Sequence, residues 1–158
     1  MAYDVTRYRC LCEWVHSSGG YVPSTAVPGG QDSGEAIYIG RALHEGEVVP
    51  GKIVPSHNVC YIPHCGKEHA HDTYQVLTSL DDSQFDWIPA AHGKLPSGAI
   101  QGGVNGDGEA LYIGRVVHDD TLTIGKILCS HGVLYIPYGG QEIPYSEYEA
   151  LVCRTVNF

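Results

Sequence analysis

One methionine, two phenylalanines and two tryptophans are all this 158-residue chain holds of those types. Lys and Arg together number only 9, against 18 Asp and Glu. That acidic balance, with no basic cluster, excludes nucleic acid as an expected partner. Charged residues make up 17% of the chain, below the roughly 25% of ordinary globular domains, and strong helix formers are correspondingly scarce. A helical bundle or coiled coil is therefore not expected. No apolar run approaches the ~20 residues of a membrane-spanning helix. Met1 to Cys12 contains no apolar stretch of signal-peptide length, which sets a cytoplasmic expectation, with leaderless export left open. What is abundant is glycine (20), tyrosine (11) and histidine (9), within a composition that is 43% hydrophobic. Disorder is excluded by that apolar content.

The chain contains an internal duplication. Trp14 to Gly30 matches Trp87 to Gly103 at an offset of 73 residues, and one inserted residue makes the offset 74 from Gly34 onward. Tyr38-Ile39-Gly40-Arg41 then matches Tyr112-Ile113-Gly114-Arg115, and Gly51-Lys52-Ile53 matches Gly125-Lys126-Ile127. Ser56-His57 matches Ser130-His131, and Tyr61-Ile62-Pro63 matches Tyr135-Ile136-Pro137. This divides the chain into an N-terminal arm (1–12), a first copy (13–79), a linker (80–85), a second copy (86–153) and a tail (154–158). A unit of about 70 residues buries too little surface to be comfortable alone. The copies are therefore expected to pack on each other about a pseudo-two-fold axis.

Short runs rich in Tyr, Ile and Val alternate with Gly, Pro, Ser and Asp clusters, so the expected fold is all-β, with short antiparallel strands. The strands expected in the first copy are Glu13–His16, Ala36–Leu43, Lys52–Val54, Val59–Ile62 and Tyr74–Thr78. In the second they are Asp86–Pro89, Ala110–Val117, Lys126–Leu128, Val133–Ile136 and Glu147–Cys153. Gly29-Gly30 and Gly102-Gly103 read as turns that need positive φ or a close backbone approach.

The duplication also works as an internal control on chemistry. None of the six cysteines recurs in the other copy, so a disulfide framework older than the duplication is not expected. Cys10 and Cys12 in the arm are the pair placed to cross-link chains. Cys60, His64, Cys65, His69 and His71 have the residue types of a zinc site, and His69-x-His71 would point both rings to one side of a strand. The cluster is confined to one copy and lacks a C-x-x-C pair, so loop histidines are the plainer reading and no metal or cofactor is expected. Asn105 to Glu109 lacks the spacing of a calcium loop. Ser56-His57 and Ser130-His131 are adjacent residues that point to opposite faces of a strand, which argues against a catalytic dyad. There is no phosphate-binding or dinucleotide fingerprint. An enzyme is not expected.

A polar set does recur: Asp32 with Asn105, Glu35 with Glu109, Arg41 with Arg115, His44 with His118, Lys52 with Lys126, and Glu68 with Glu142. Arg41 and Arg115 are candidates for buried ties to Glu35 and Glu109 or to Glu68 and Glu142. His44 and His118 read as hairpin caps. Lys52 and Lys126 each follow a glycine and precede an apolar run, and a buried Lys is costly without a partner. Asp32 or Asn105 on a loop and a Lys on the adjoining strand would form a polar clamp.

The strings that carry this set are Ala36 to Gly46, Pro50 to His57, Cys60 to Pro63 and Gly66-Lys67-Glu68. They resemble the DM-nine repeat proteins, over about residues 13–153. That family includes invertebrate lectins of two tandem repeats, so the resemblance implies an all-β homodimer that binds mannose without a metal, in innate immune pattern recognition. It implies Asp32 and Lys52 as sugar contacts. Asn105 and Lys126 are the matching pair in the second copy, with Asp107 a further candidate on the inserted turn. Asn105 loses the charge, and Pro50 is replaced by Ile124. Tyr38 and Tyr112 are candidates to pack on the C–H face of a sugar ring. The alternative is an intracellular interaction or stress-responsive scaffold whose sugar site has degenerated.

Overall fold

A computed structural model describes residues 12–80 and 84–154. The expected arm, with Cys10, lies outside the described residues, apart from Cys12. The first copy forms β1 (Cys12–Ser18), β2 (Pro28–Asp32), β3 (Glu35–His44), β4 (Glu47–Val54), β5 (Val59–His64), β6 (Lys67–His71) and β7 (Thr73–Ser79). The second forms β8 (Phe85–Ala91), β9 (Gln101–Val104), β10 (Ala110–His118), β11 (Thr121–Leu128), β12 (Val133–Tyr138), β13 (Gln141–Tyr145) and β14 (Glu147–Cys153). The fold is all-β, as expected, and the ladders between these strands are antiparallel. One-turn 3-10 segments at Pro55–His57 and Cys129–His131 interrupt each copy at the same place. No helix among the described residues is long and apolar enough to cross a membrane.

Two-residue left-handed turns make the hairpins. Ser33-Gly34, Glu45-Gly46 and Cys65-Gly66 all have positive φ at both positions, as does Asp119-Asp120 in the second copy. Such turns match the twist of the flanking strands, and glycine at the second position removes the Cβ penalty. Asp119-Asp120 makes the same turn without that relief.

Strand order runs β1-β7-β3-β2-β11-β12-β13-β6-β5-β4-β9-β10-β14-β8, with β3–β4 and β10–β11 also paired. The eight strands from β3 to β4 in that order therefore close on themselves, and β9 and β10 bridge β4 back to β11. The copies are interleaved. Gln31 of β2 pairs with Leu122 of β11, Val48 of β4 with Val104 of β9, and Lys67 of β6 with Gln141 of β13.

These seams explain the paired glycines. Gly29-Gly30 and Gly102-Gly103 are not turns; they lie in β2 and β9. A Cβ on Gly30 would sit 1.9 Å from the Leu122 carbonyl oxygen, and one on Gly103 would sit 1.9 Å from that of Val48. Of the two readings offered by the sequence, close backbone approach is the correct one.

The core follows the same interleaving. One buried cluster is drawn from the first copy around Ile53, Ile62 and Val76, and another from the second around Ile127, Ile136 and Ala150. Between them Ile37, Ile39 and Leu77 pack with Ile113, Ile124 and Leu151. Each such side chain contributes roughly 1.5–3 kcal/mol on burial, so part of each copy's stability resides in the other.

The β6–β13 seam shows the pseudo-two-fold in its hydrogen bonds. The Glu68 N–H donates to the Gly140 carbonyl and the Glu142 N–H to the Gly66 carbonyl, both at 3.0 Å. The Glu68 carboxylate accepts from the Gly140 N–H at 3.1 Å, and the Glu142 carboxylate from the Gly66 N–H at 3.0 Å. Each bond has its exchanged counterpart, as a two-fold relation requires.

Candidate functional site

The recurring lysines are buried. Lys52 is 3% exposed and Lys126 is 6% exposed. Each lies next to its glycine on the same strand, β4 or β11, and Gly51 and Gly125 let β5 and β12 approach within contact distance. A Cβ at either glycine would be 2.0 Å from the facing tyrosine carbonyl, that of Tyr61 or Tyr135. Lys52 Nζ is 3.6 Å from a Glu68 carboxylate oxygen, and Lys126 Nζ is 3.0 Å from one of Glu142. Each ammonium also lies over a tyrosine ring, 5.5 Å from the centroid of Tyr61 or Tyr135. Burial pushes the Lys52 pKa down, opposed by the Glu68 and Asp32 carboxylates.

Asp32 closes β2 beside this cation, and Ser33 Oγ donates to its carboxylate at 3.1 Å. Gln31 ties the strand end to the β10–β11 hairpin by donating to the Asp120 carbonyl at 2.9 Å. That hairpin and β12 supply the rest of the surround. Tyr138 lies 4.9 Å from Lys52 Nζ, and its ring stands 4.6 Å from that of His118. Burial raises the Tyr138 pKa, and Asp32, Asp119 and Glu68 raise it further. The Lys52 centre is thus assembled from both copies: Asp32, Lys52, Tyr61 and Glu68 from the first, His118 and Tyr138 from the second. An opening of about 320 Å³ is lined by Asp32 together with Ser33, Glu35, Ser56 and His57 among others.

The Lys126 centre differs in two ways. Asn105 spends its side-chain oxygen on its own loop, accepting from the Asp107 N–H at 3.0 Å and the Glu109 N–H at 2.9 Å. Asp107 is exposed. In place of Tyr138, the equivalent position on β5 carries His64, and β5 packs against β11. His64 Nδ1 is 3.6 Å from Glu47, whose carboxylate also abuts the Asn105 loop at Gly106.

Other members of the recurring set do different work. Arg41 and Arg115 tie neither Glu35 and Glu109 nor Glu68 and Glu142. Arg41 donates to Gln75 at 2.7 Å and to the Gly102 carbonyl at 3.3 Å; Arg115 donates to Glu149 at 2.9 Å and to the Gly29 carbonyl at 3.0 Å. Their guanidinium groups stack 4.1 Å from the Trp14 and Trp87 rings. They thereby anchor the glycine strands of the opposite copy. Glu35 and Glu109 instead hold the 3-10 segments, each accepting from the N–H and hydroxyl of Ser56 or Ser130. These hydrogen bonds hold the Glu109 carboxyl below its ordinary pKa. His57 and His131 bond Tyr61 and Tyr135 rather than the adjacent serine. Tyr38 and Tyr112 pack against the core clusters. The aromatic faces at the lysines belong to Tyr61, Tyr135 and Tyr138, which the sequence reading did not single out.

His44 does more than end a hairpin. Its ring lies 4.2 Å from that of His69 and 4.8 Å from that of His64, and its Nδ1 is 3.0 Å from His71 Nε2. Burial lowers the His44 pKa, and repulsion from His69, His64 and His71 lowers it further. In the second copy, the His118 ring faces those of Tyr138 and Tyr145 and bonds the Tyr145 hydroxyl, while Ile143 stands where the first copy has His69.

These features define a tandem-repeat β-protein with a buried lysine–carboxylate centre in each copy. The DM9 repeat model matches residues 1–71 and 31–145. The chain belongs to the DM9 repeat family. It is 28% identical over 141 residues to Natterin-4 of Thalassophryne nattereri, covering 88% of this chain and 33% of that protein. It therefore spans about a third of that relative's length. Among solved structures it is similar to the nematode sperm cell motility protein MFP2B, with a TM-score of 0.68 at 17% identity, covering 96% of this chain and 49% of that one. That likeness concerns the fold alone.

Proposed function

We propose that this protein is a lectin that binds mannose-type glycans at the Lys52 centre, without catalysis and without a metal in that site. The observation that carries the reading is a cation kept 3% exposed beside two carboxylates, Glu68 and Asp32. Vicinal sugar hydroxyls are donors and acceptors at once. The Asp32 carboxylate would accept from a pair of them, while the Lys52 ammonium donates to a hydroxyl or ring oxygen. Tyr138 supplies an apolar face for the sugar C–H groups. Lys126 with Asn105 and Asp107 forms a second, weaker centre, since the Asn105 oxygen is already engaged.

One hexose in such a site binds with a Kd of about a millimolar, near −4 kcal/mol. A homodimer presenting the centres together would gain ~10²-fold avidity on clustered glycans, which suits pattern recognition in innate defence. A cytoplasmic protein is part of the same reading. The engaged Asn105 also favours a second reading, an interaction scaffold with a degenerate sugar site. Calorimetry and a glycan array on the wild type, Asp32→Ala and Lys126→Met separate the two. The lectin reading expects mannose binding that Asp32→Ala abolishes, Lys126→Met largely preserves and chelators do not affect. No glycan binding by the wild type refutes it and leaves the scaffold. Binding that survives Asp32→Ala refutes the site.

A further inference from the structure

The histidines of β5 and β6 converge on the end of β3. A ring nitrogen of His44, a ring nitrogen of His64 and a carboxylate oxygen of Glu45 lie within 4.8 Å of one another. Glu45 Oε2 is 3.2 Å from His64 Nε2, and the Cys65 sulfur is 3.3 Å from the same nitrogen. Around a tetrahedral Zn²⁺ with ordinary bond lengths, donor atoms stand roughly 3.3–3.7 Å apart. Glu45 and Cys65 each already stand near that spacing from His64, His44 lies within 4.8 Å of the His64 and Glu45 donors, and side-chain rotation would have to close the remaining gaps.

Two further observations point to a ligand. First, the opposite ring nitrogens are held in the way ligating imidazoles are held. His44 Nδ1 is 3.0 Å from His71 Nε2, and His64 Nδ1 is 3.6 Å from Glu47. Second, His44 Nε2 is buried and has no hydrogen-bond partner. A buried polar nitrogen in that condition is uncommon and is well suited to coordinate. The second copy provides a control. It builds the same hairpins with Asp119, Tyr138 and Gly139 where the first has Glu45, His64 and Cys65. The fold therefore does not require this donor set.

We propose that His44, Glu45, His64 and Cys65 form a binding site for a borderline first-row cation, Zn²⁺ foremost, with His71 and Glu47 orienting the two imidazoles. Two imidazoles, a carboxylate and a thiolate suit Zn²⁺ and Co²⁺ and disfavour Mg²⁺ and Ca²⁺, which take oxygen donors. Cys65 is exposed, so its proton leaves to solvent as the thiolate binds, and uptake releases acid. The site stands apart from the Lys52 centre, and its existence does not depend on glycan binding.

The test is titration of the metal-stripped full chain with Zn²⁺ and Co²⁺. The expected result is one saturable equivalent per chain, proton release on binding, and visible Co²⁺ bands of tetrahedral type with a thiolate charge-transfer feature. Cys65→Ser should remove the charge-transfer feature, His64→Gln should abolish stoichiometric uptake, and Glu47→Gln should weaken it about 10–100-fold. His118→Gln, at the matching place in the second copy, should leave uptake unchanged. Zn²⁺ should also protect Cys65 of the wild type from alkylation, a readout that does not rely on any variant folding. Absence of stoichiometric uptake by the wild type overturns the proposal. So does Co²⁺ binding with no thiolate feature and no protection of Cys65.

Discussion

Lys52→Met removes the cation and leaves the Glu68 carboxylate only 13% exposed, still accepting from the Gly140 N–H. At 3.6 Å and an effective dielectric near 20, the lost attraction is about 4–5 kcal/mol. Breaking a buried pair from one side typically costs about 3–5 kcal/mol, because the remaining charge is uncompensated. At ~2–4 °C per kcal/mol for a chain of this size, Tm should fall by roughly 6–20 °C. Lys52→Met/Glu68→Gln removes both charges, and the Gln oxygen can still accept from Gly140. That double variant should return to within ~2 kcal/mol of the wild type. Urea unfolding of all four proteins of the cycle measures the coupling directly. The double variant should then be folded and yet blind to mannose, which separates the lysine's binding role from its structural one. The reasoning fails if Lys52→Met costs less than ~1 kcal/mol, or if the double variant is as unstable as the sum of the two singles.

Other expectations follow from the same geometry. Gly30→Ala places a Cβ 1.9 Å from the Leu122 carbonyl oxygen and should cost about 3 kcal/mol or more. Gly34→Ala, in open space at φ +79°, should cost only about 1–2 kcal/mol by thermal melting. The Glu109 carboxyl is held below its usual 4.5, chiefly by Ser130, so this contribution is present above pH 4.5 and is lost as pH falls through the folded value. Urea midpoints of wild type and Ser130→Ala should accordingly differ at neutral pH and converge in acid. Tyr138→Ala removes one face of the Lys52 centre and should weaken glycan binding roughly tenfold by calorimetry.

The strands legible in the sequence were those dense in Tyr, Ile and Val, such as Ala36–Leu43 and Ala110–Val117. Four strands escaped: Pro28–Asp32, Lys67–His71, Gln101–Val104 and Gln141–Tyr145. Their composition is Gly, Pro, Gln and charge, which disfavours a strand on local grounds. All four sit at the seams between copies, where β2 meets β11, β9 meets β4 and β6 meets β13. Gly30 and Gly103 are glycines because another backbone passes against them, and that backbone lies far away in sequence. Local propensity carries no record of such a partner. The pseudo-two-fold was legible because the duplication is visible at constant offset; the exchange of strands across it was not.

The site was half legible for a related reason. Comparing the copies retained residues that recur and discarded those that do not. It found Lys52 with Lys126 and Glu68 with Glu142, which form the ion pairs of both centres. It passed over Tyr138, because its counterpart is His64. Yet Tyr138 belongs to the second copy and faces the lysine of the first. A substitution at this position therefore alters the centre of the opposite copy, so the two sites cannot diverge independently of the two sequences. With tyrosine at 138, the Lys52 centre keeps an aromatic wall. With histidine at 64, beside Glu47 at 3.6 Å, the matching position in the first copy carries a nitrogen donor instead of a phenol. Interleaving thus turns one exchanged side chain into two unequal centres.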